Sequence, residues 1–200
     1  MPLRHAVIYV PALVIACAPV AGEAVTTGVA ITVRVYDAAG LEPIRTATAL
    51  AVAEAALASA SVDLTWEQCL GGGSRCGAPM GRADLAVRLV RVPVAPGFRG
   101  SLPLGDALVD PHAGTGVLAT IYIDRVEWLA AVSGGDAPTL LGRAIAHEIG
   151  HLLLASSAHS SRGLMRAVWS RDEIRHDRRT DWAFTASDIE AIRLRVRARA

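Results

Sequence analysis

The segment Ala146–Met165, AHEIGHLLLASSAHSSRGLM, gathers three of the chain's six histidines around a single glutamate. His147 and His151 are four residues apart, so on a helix their imidazoles share one face, one turn apart, at a spacing that lets both ligate one zinc ion. Glu148 stands beside them. It is the residue type that takes a proton from water at a metal, and it is offset too far to be the natural third ligand. The bland alternative is a core or surface helix that carries two histidines and a glutamate by accident. A catalytic zinc takes three protein ligands and keeps one position for water, so two imidazoles leave it short. His159 is the expected third, because it lies past the helix where Ser156, Ser157 and Ala158 let the chain turn back. Glu173, a carboxylate on a later helix, is its rival.

These residues need a helix held against a core. GGDAPTLLGRAIAHEIGHLLL opens on turn residues, offers Asp136 or Thr139 as N-cap, and runs on with Leu140, Ala144, Ile145, Ile149 and Leu152 facing inward. Upstream, Val29–Asp37 alternates apolar and polar residues as a half-buried strand does. Glu42–Ala60 is a helix, with Pro43 in its first turn and a broad apolar stripe through Ile44, Ala47, Leu50, Ala51, Ala53, Leu57 and Ala58. Val62, Leu64 and Trp66 alternate again, which completes a strand, helix, strand unit and makes the first two strands parallel neighbours. Ala83–Pro93 is a third strand. Residues 94–116 form a Gly- and Pro-rich loop with one short strand at Ala107–Val109. Val117–Ile123 is a strand that turns helical after Asp124. A last amphipathic helix starts at a capping-box-like Thr185 and Asp188. No repeat and no second domain is visible, so residues 25–200 are expected to form one catalytic domain.

Composition narrows the classes. Two hundred residues, 52% apolar, suffice for one buried core, and a monomer is expected. Twenty Lys+Arg against 19 Asp+Glu, with no basic block before the end of the chain, argue against nucleic acid as a partner. Residues 1–24 have a short polar head with Arg4 and His5, an apolar run from Ala6 to Ala18 interrupted by Pro11, and small residues after it, which is the layout of an export signal. Two processing sites stay open. GEA ending at Ala24 suits ordinary signal peptidase, whereas VIAC at Val14–Cys17 suits a lipoprotein in which Cys17 is kept and acylated, the only membrane attachment expected. The protein is accordingly secreted, periplasmic or anchored in the cell envelope. Cys69 and Cys76 flank a glycine-rich loop and suit a disulfide in an oxidising compartment. His112 in a turn, His176 in the charged run RDEIRHDRRTD and His5 are more ordinary as solvated side chains than as ligands.

With His147, Glu148, His151, His159, the dipeptide His159-Ser160 and the GLM of Gly163–Met165 in view, the chain resembles the metzincin clan of zinc metallopeptidases, and matrixins in particular. The resemblance implies an α+β, metzincin-like zincin domain: a twisted mixed sheet, a long helix, an active-site helix and a small helical C-terminal part. It implies Zn2+ as cofactor, Met165 in a methionine turn under the metal, and FTASDIEAI as the closing helix. It also implies a polypeptide substrate laid antiparallel on the sheet's edge strand, with Gly116–Ile123 as candidate, and a specificity pocket partly built by Ala167 and Trp169. RCGAP at Arg75–Pro79 is similar to the propeptide segment whose cysteine plugs matrixin zinc, an alternative to the disulfide. One departure stands out. Metzincins place a glycine three residues after the second motif histidine and the third histidine three further on, positions held here by Leu154 and Ser157. The connection to His159 is therefore two residues longer. The expected activity is zinc-dependent peptide hydrolysis with Glu148 as general base. The alternatives are a non-catalytic zinc-stabilised envelope binding module and a hydrolase of a non-peptide amide.

Overall fold

A computed structural model describes residues 30–69 and 76–199 of the chain. The leader and Cys17 lie outside the described residues. The first strand, β1 (Ala30–Asp37), buries Ile31, Val33 and Val35 completely or nearly so. Its last residue ends it: the Asp37 carboxylate accepts the N–H groups of Ala39, Gly40 and Leu41, turning the chain toward α1 (Pro43–Ala58). From α1 the chain returns as β2 (Asp63–Gln68), parallel to β1 with Ile31 opposite Leu64. β3 (Asp84–Val90) pairs parallel on the other side of β1. Next come β4 (Gly105–Asp110) and β5 (Thr115–Tyr122), an antiparallel pair, with β5 also parallel to β3. The sheet therefore runs β2-β1-β3-β5-β4, and only its last strand is antiparallel.

Two expectations change here. The short strand expected at Ala107–Val109 is the centre of a longer one, β4, and β4 holds the sheet's edge. The Gly116–Ile123 segment, expected at that edge, is an inner strand whose hydrogen bonds go to β3 and β4 on either side. An inner strand has no free main-chain groups to offer a peptide. The second change concerns α1. Leu50, Ala53 and Leu57 face the core as expected, but Ala47, Ala51 and Ala58 are exposed, Ile44 is 71% exposed, and Thr46 and Ala49 are buried instead. A helix with seven alanines among its sixteen residues carries too little contrast between faces for its sequence to choose one.

α2 (Ile123–Ser133) follows β5 directly and ends on Gly134 in the left-handed conformation. α3 (Ala137–Leu154) is the central helix, packed on α1 and lying over β3, β4 and β5. The core is the layer between these helices and the sheet, with Leu85, Val87, Leu89, Ala119 and Ile121 facing Ile145, Ile149 and Leu152 in one cluster. The sheet's other face is covered near β1 by the segment after Cys76. Arg34, 5% exposed, donates to the Ala78 carbonyl at 2.6 Å and pairs with Asp84 at 2.7 Å, while Tyr36 Oη donates to the Cys76 carbonyl. Cys76 is joined to Cys69 by a disulfide, which ties this covering segment to the end of β2. Past α3 the chain makes α4 (Arg171–His176), a 3-10 turn at Arg179–Trp182 and α5 (Ala186–Arg197). Among the described residues no helix is long and apolar enough to cross a membrane.

Candidate metal centre

α3 is started by Asp136, whose side chain accepts the Thr139 N–H at 2.8 Å, with Pro138 in the first turn. Hydrogen bonds from Thr139 hold the Asp136 carboxyl below the usual carboxylate range. Both motif histidines are buried, His147 at 8% and His151 at 6% exposure. Each imidazole is aimed by a carbonyl: His147 Nδ1 meets Leu164 O at 2.9 Å and His151 Nδ1 meets Ser156 O at 2.7 Å. A carbonyl only accepts, so Nδ1 carries the proton in both rings and Nε2 is left with its lone pair. The two Nε2 atoms face each other 3.1 Å apart. Burial holds both rings neutral: it lowers the His147 pKa to about 4 and lowers that of His151 as well. Two lone pairs aimed at one point repel unless a Lewis acid sits between them, so this donor set fits a zinc ion.

His159 completes the set. Its ring lies 4.8 Å from that of His151 and 5.4 Å from that of His147, and one ligand nitrogen from each histidine falls within a group spanning 4.8 Å. The longer connection is bridged by ordinary turns. Ala155 ends α3 in the left-handed region (φ 46°), Ser156 N donates back to His151 O, and Ser156 Oγ accepts the Ala158 N–H. Immediately after His159, Ser160 is pinned twice, by its N–H to Met165 O at 2.8 Å and by its hydroxyl to Asp188 Oδ1 at 2.9 Å. The other oxygen of Asp188 accepts from the Thr185 N–H and hydroxyl, so the cap of α5 anchors the loop that carries His159. Sequence patterning identifies Asp188 as a capping residue only. Its second role shows in its burial, 8% exposed and fully hydrogen-bonded.

Met165 is completely buried beneath α3, and Gly150, the glycine of HEIGH, makes room for it. A Cβ at Gly150 would stand 2.6 Å from Met165 Sδ and 2.9 Å from Phe184. The turn before Met165 needs Gly163, which combines φ +74° with a carbonyl 2.5 Å from where a Cβ would lie. Glu173, the rival third ligand, lies elsewhere. Its carboxylate closes the capping box of α4 with Ser170 and sits 3.1 Å from Arg166, outside the histidine group. His112 and His176 are also outside it; His176 Nδ1 bonds Asp172 O within α4.

Glu148 is 6% exposed and lies against Gly105 at the start of β4. Burial, reinforced by the nearby Asp106 carboxylate, raises its pKa to about 8 in the metal-free chain. An adjacent dication acts in the opposite sense. Glu148 and the three histidines line a cavity of about 490 Å³ whose other walls come from residues 100–107, Trp128, Leu129 and residues 166–171. Ala167 and Trp169 are among them. Trp169 also donates from Nε1 to Leu164 O at 3.3 Å, the carbonyl that orients His147.

No protein-family model matches the chain, and no characterised protein sequence does. Among solved structures it is similar to an archaemetzincin from Methanopyrus kandleri, at 16% sequence identity and a TM-score of 0.56 over 86% of this chain and 99% of that one. The mixed, mostly parallel five-stranded sheet with its packed helices is thus the archaemetzincin fold. At that identity the likeness is one of fold, and the chemistry has to be argued from the residues themselves.

Proposed function

We propose that the protein is an extracytoplasmic zinc-dependent endopeptidase of the metzincin type. The observation that carries this reading is the buried pair of Nε2 lone pairs meeting His159, with the Glu148 carboxyl in the wall of the same cavity. His147, His151 and His159 would hold the metal. When bound, zinc supplies the Lewis acidity that polarises a peptide carbonyl and makes water a nucleophile at neutral pH. Glu148 accepts the proton from the attacking water and delivers it to the departing amine, and its buried position keeps that proton from bulk solvent. Leu164 O and Ser156 O fix the tautomer and tilt of the two helix histidines. The free edge of β4, which leads to Glu148 at Gly105, replaces β5 as the strand on which an extended peptide would be laid.

The matrixin-like features are the Ser160 anchor after His159, Met165 packed against Gly150 of α3 and the closing helix α5; the two-residue-longer loop before His159 sets this chain apart. Export is supported by the leader segment and by the Cys69–Cys76 disulfide. The test is Glu148→Ala in the full chain. The variant should retain zinc and lose chelator-sensitive hydrolysis of casein, and turnover equal to wild type would refute the mechanism.

A further inference from the structure

The cavity is lined by a buried cation that the proposed chemistry does not use. Its walls are largely apolar, with Leu102, Leu104, Trp128, Leu129, Val168 and Trp169, and its acids, Asp106 and Glu148, come from β4 and α3. Arg166, the residue after Met165, also lines it. The Arg166 side chain is only 11% exposed, and neither its Nε nor its Nη2 has a hydrogen-bond acceptor among the described residues although both are buried. Its anionic neighbour, Glu173 Oε1, is 3.1 Å from Nη2 without hydrogen-bond geometry, and the other Glu173 oxygen is held at 2.7 Å by the Ser170 N–H of the α4 cap. Trp182 lies 5.9 Å from the guanidinium carbon. A second cation, Arg171, stands at the exposed rim.

Nε and Nη2 are closed off from the cleft on the Glu173 side, so the nitrogen that Arg166 offers to the cavity is Nη1. A charged donor of this kind binds a carboxylate more strongly than any neutral acceptor, through one charge-assisted hydrogen bond. We propose that Arg166 determines the substrate class of this cleft by taking a carboxylate of the polypeptide next to the scissile bond. That carboxylate comes from an acidic side chain or from the chain's own C-terminal carboxyl group. The proposal rests on the peptidase reading above for the meaning of "scissile", and on Arg166 alone for the choice of ligand. Ala167 and Trp169 shape the pocket; Arg166 gives it a charge preference.

The experiment uses the zinc-loaded full chain and peptide pairs that differ only in Glu against Gln at each position flanking the cleaved bond. A further pair differs only in a free or amidated C-terminus. Wild type should favour the carboxylate member at one position by about ten- to a hundredfold in kcat/KM, the range of one charge-assisted hydrogen bond. Preference within a Glu/Gln pair identifies a side-chain carboxylate, and preference within the acid/amide pair identifies the chain terminus. Arg166→Gln should bring that ratio toward unity, and Arg166→Lys should keep part of it. Equal treatment of every pair by wild type, which needs no variant to fold, overturns the proposal. So does a ratio that survives in Arg166→Gln.

Calorimetric binding of the same pairs to Glu148→Ala separates this from the peptidase reading. If wild type cleaves nothing yet the carboxylate peptide binds more tightly through Arg166, the carboxylate site stands and the peptidase reading falls. Cleavage without discrimination leaves the peptidase reading standing and removes the carboxylate site, and neither cleavage nor selective binding overturns both.

Discussion

Replacing Gly105 by alanine tests whether the start of β4 positions Glu148, the proposed general base. An ideal Cβ there would lie 2.6 Å from Thr120 O, 2.8 Å from Glu148 Cγ and 2.9 Å from Glu148 Oε1, all inside the 3.0 Å that real Cβ contacts keep. Thr120 O belongs to the backbone of β5 and yields only if the β4–β5 pairing distorts. The Glu148 side chain therefore has to move, or β4 has to lift away from it. Overpacking of this kind costs about 1–3 kcal/mol, and removing a glycine from a strand returns about 0.5–1 kcal/mol of chain entropy. The net loss is about 1 kcal/mol, a fall of roughly 2–4 °C in Tm for a chain of this size. The catalytic effect is larger, because a base displaced by about 1 Å costs on the order of a hundredfold in kcat. The three atoms nearest the new methyl belong to Thr120 and Glu148 and none to a histidine, so zinc content should match wild type. Peptide hydrolysis, zinc content and calorimetric Tm on one preparation give the comparison. Wild-type kcat in a folded, zinc-replete Gly105→Ala protein would refute the role given to β4 and to the fixed position of Glu148.

His159→Ala should lose zinc under dialysis conditions in which wild type keeps it, while Glu173→Ala keeps its zinc; zinc analysis of both variants decides between the two third-ligand candidates. Asp188→Ala removes both the α5 cap and the anchor of Ser160, and is expected to weaken zinc affinity about tenfold or more, measured by competition with a chelator. Asp136→Ala should cost about 1 kcal/mol at neutral pH through loss of the α3 cap. Because the folded carboxyl titrates below its unfolded value, this stabilisation is present above the unfolded pKa and is lost as pH falls through the folded one. The gap in urea-unfolding midpoint between wild type and variant should therefore close below about pH 4. Changing Cys69 and Cys76 to serine together should cost about 2 kcal/mol, as expected for so short a closed loop, and leave zinc content unchanged.

The helix-borne part of the candidate site is legible in the sequence because helical spacing is itself geometry. His147, Glu148 and His151 follow from one cap, one period and one apolar face, and the structure places them as that pattern requires. His159 is legible by chemistry and proximity in sequence, since zinc needs a third ligand and the turn residues before it allow a return. The two-residue-longer loop works because Ala155, in the left-handed region, and Ser156, through its side chain, supply the turn. What stays hidden depends on contacts between distant segments. Sheet order is not encoded in any one strand, so the strand-like residues of Gly116–Ile123 do not tell an edge from an inner position, and β4 is blurred by the glycines and prolines around it. Asp188 looks like a local cap because its second partner, Ser160, is 28 residues away. Arg166 is hidden because an arginine after a methionine carries no signal until the fold places it in the cavity wall.

Three imidazoles on one zinc ion can be counted by X-ray absorption at the zinc edge, using the full chain loaded with one equivalent of metal and the His159→Ala variant beside it. The wild type should show a shell of three imidazole nitrogens and one light oxygen ligand, with one imidazole lost in the variant. A wild-type shell with two imidazoles or none, or one unchanged by His159→Ala, would contradict the three-histidine centre.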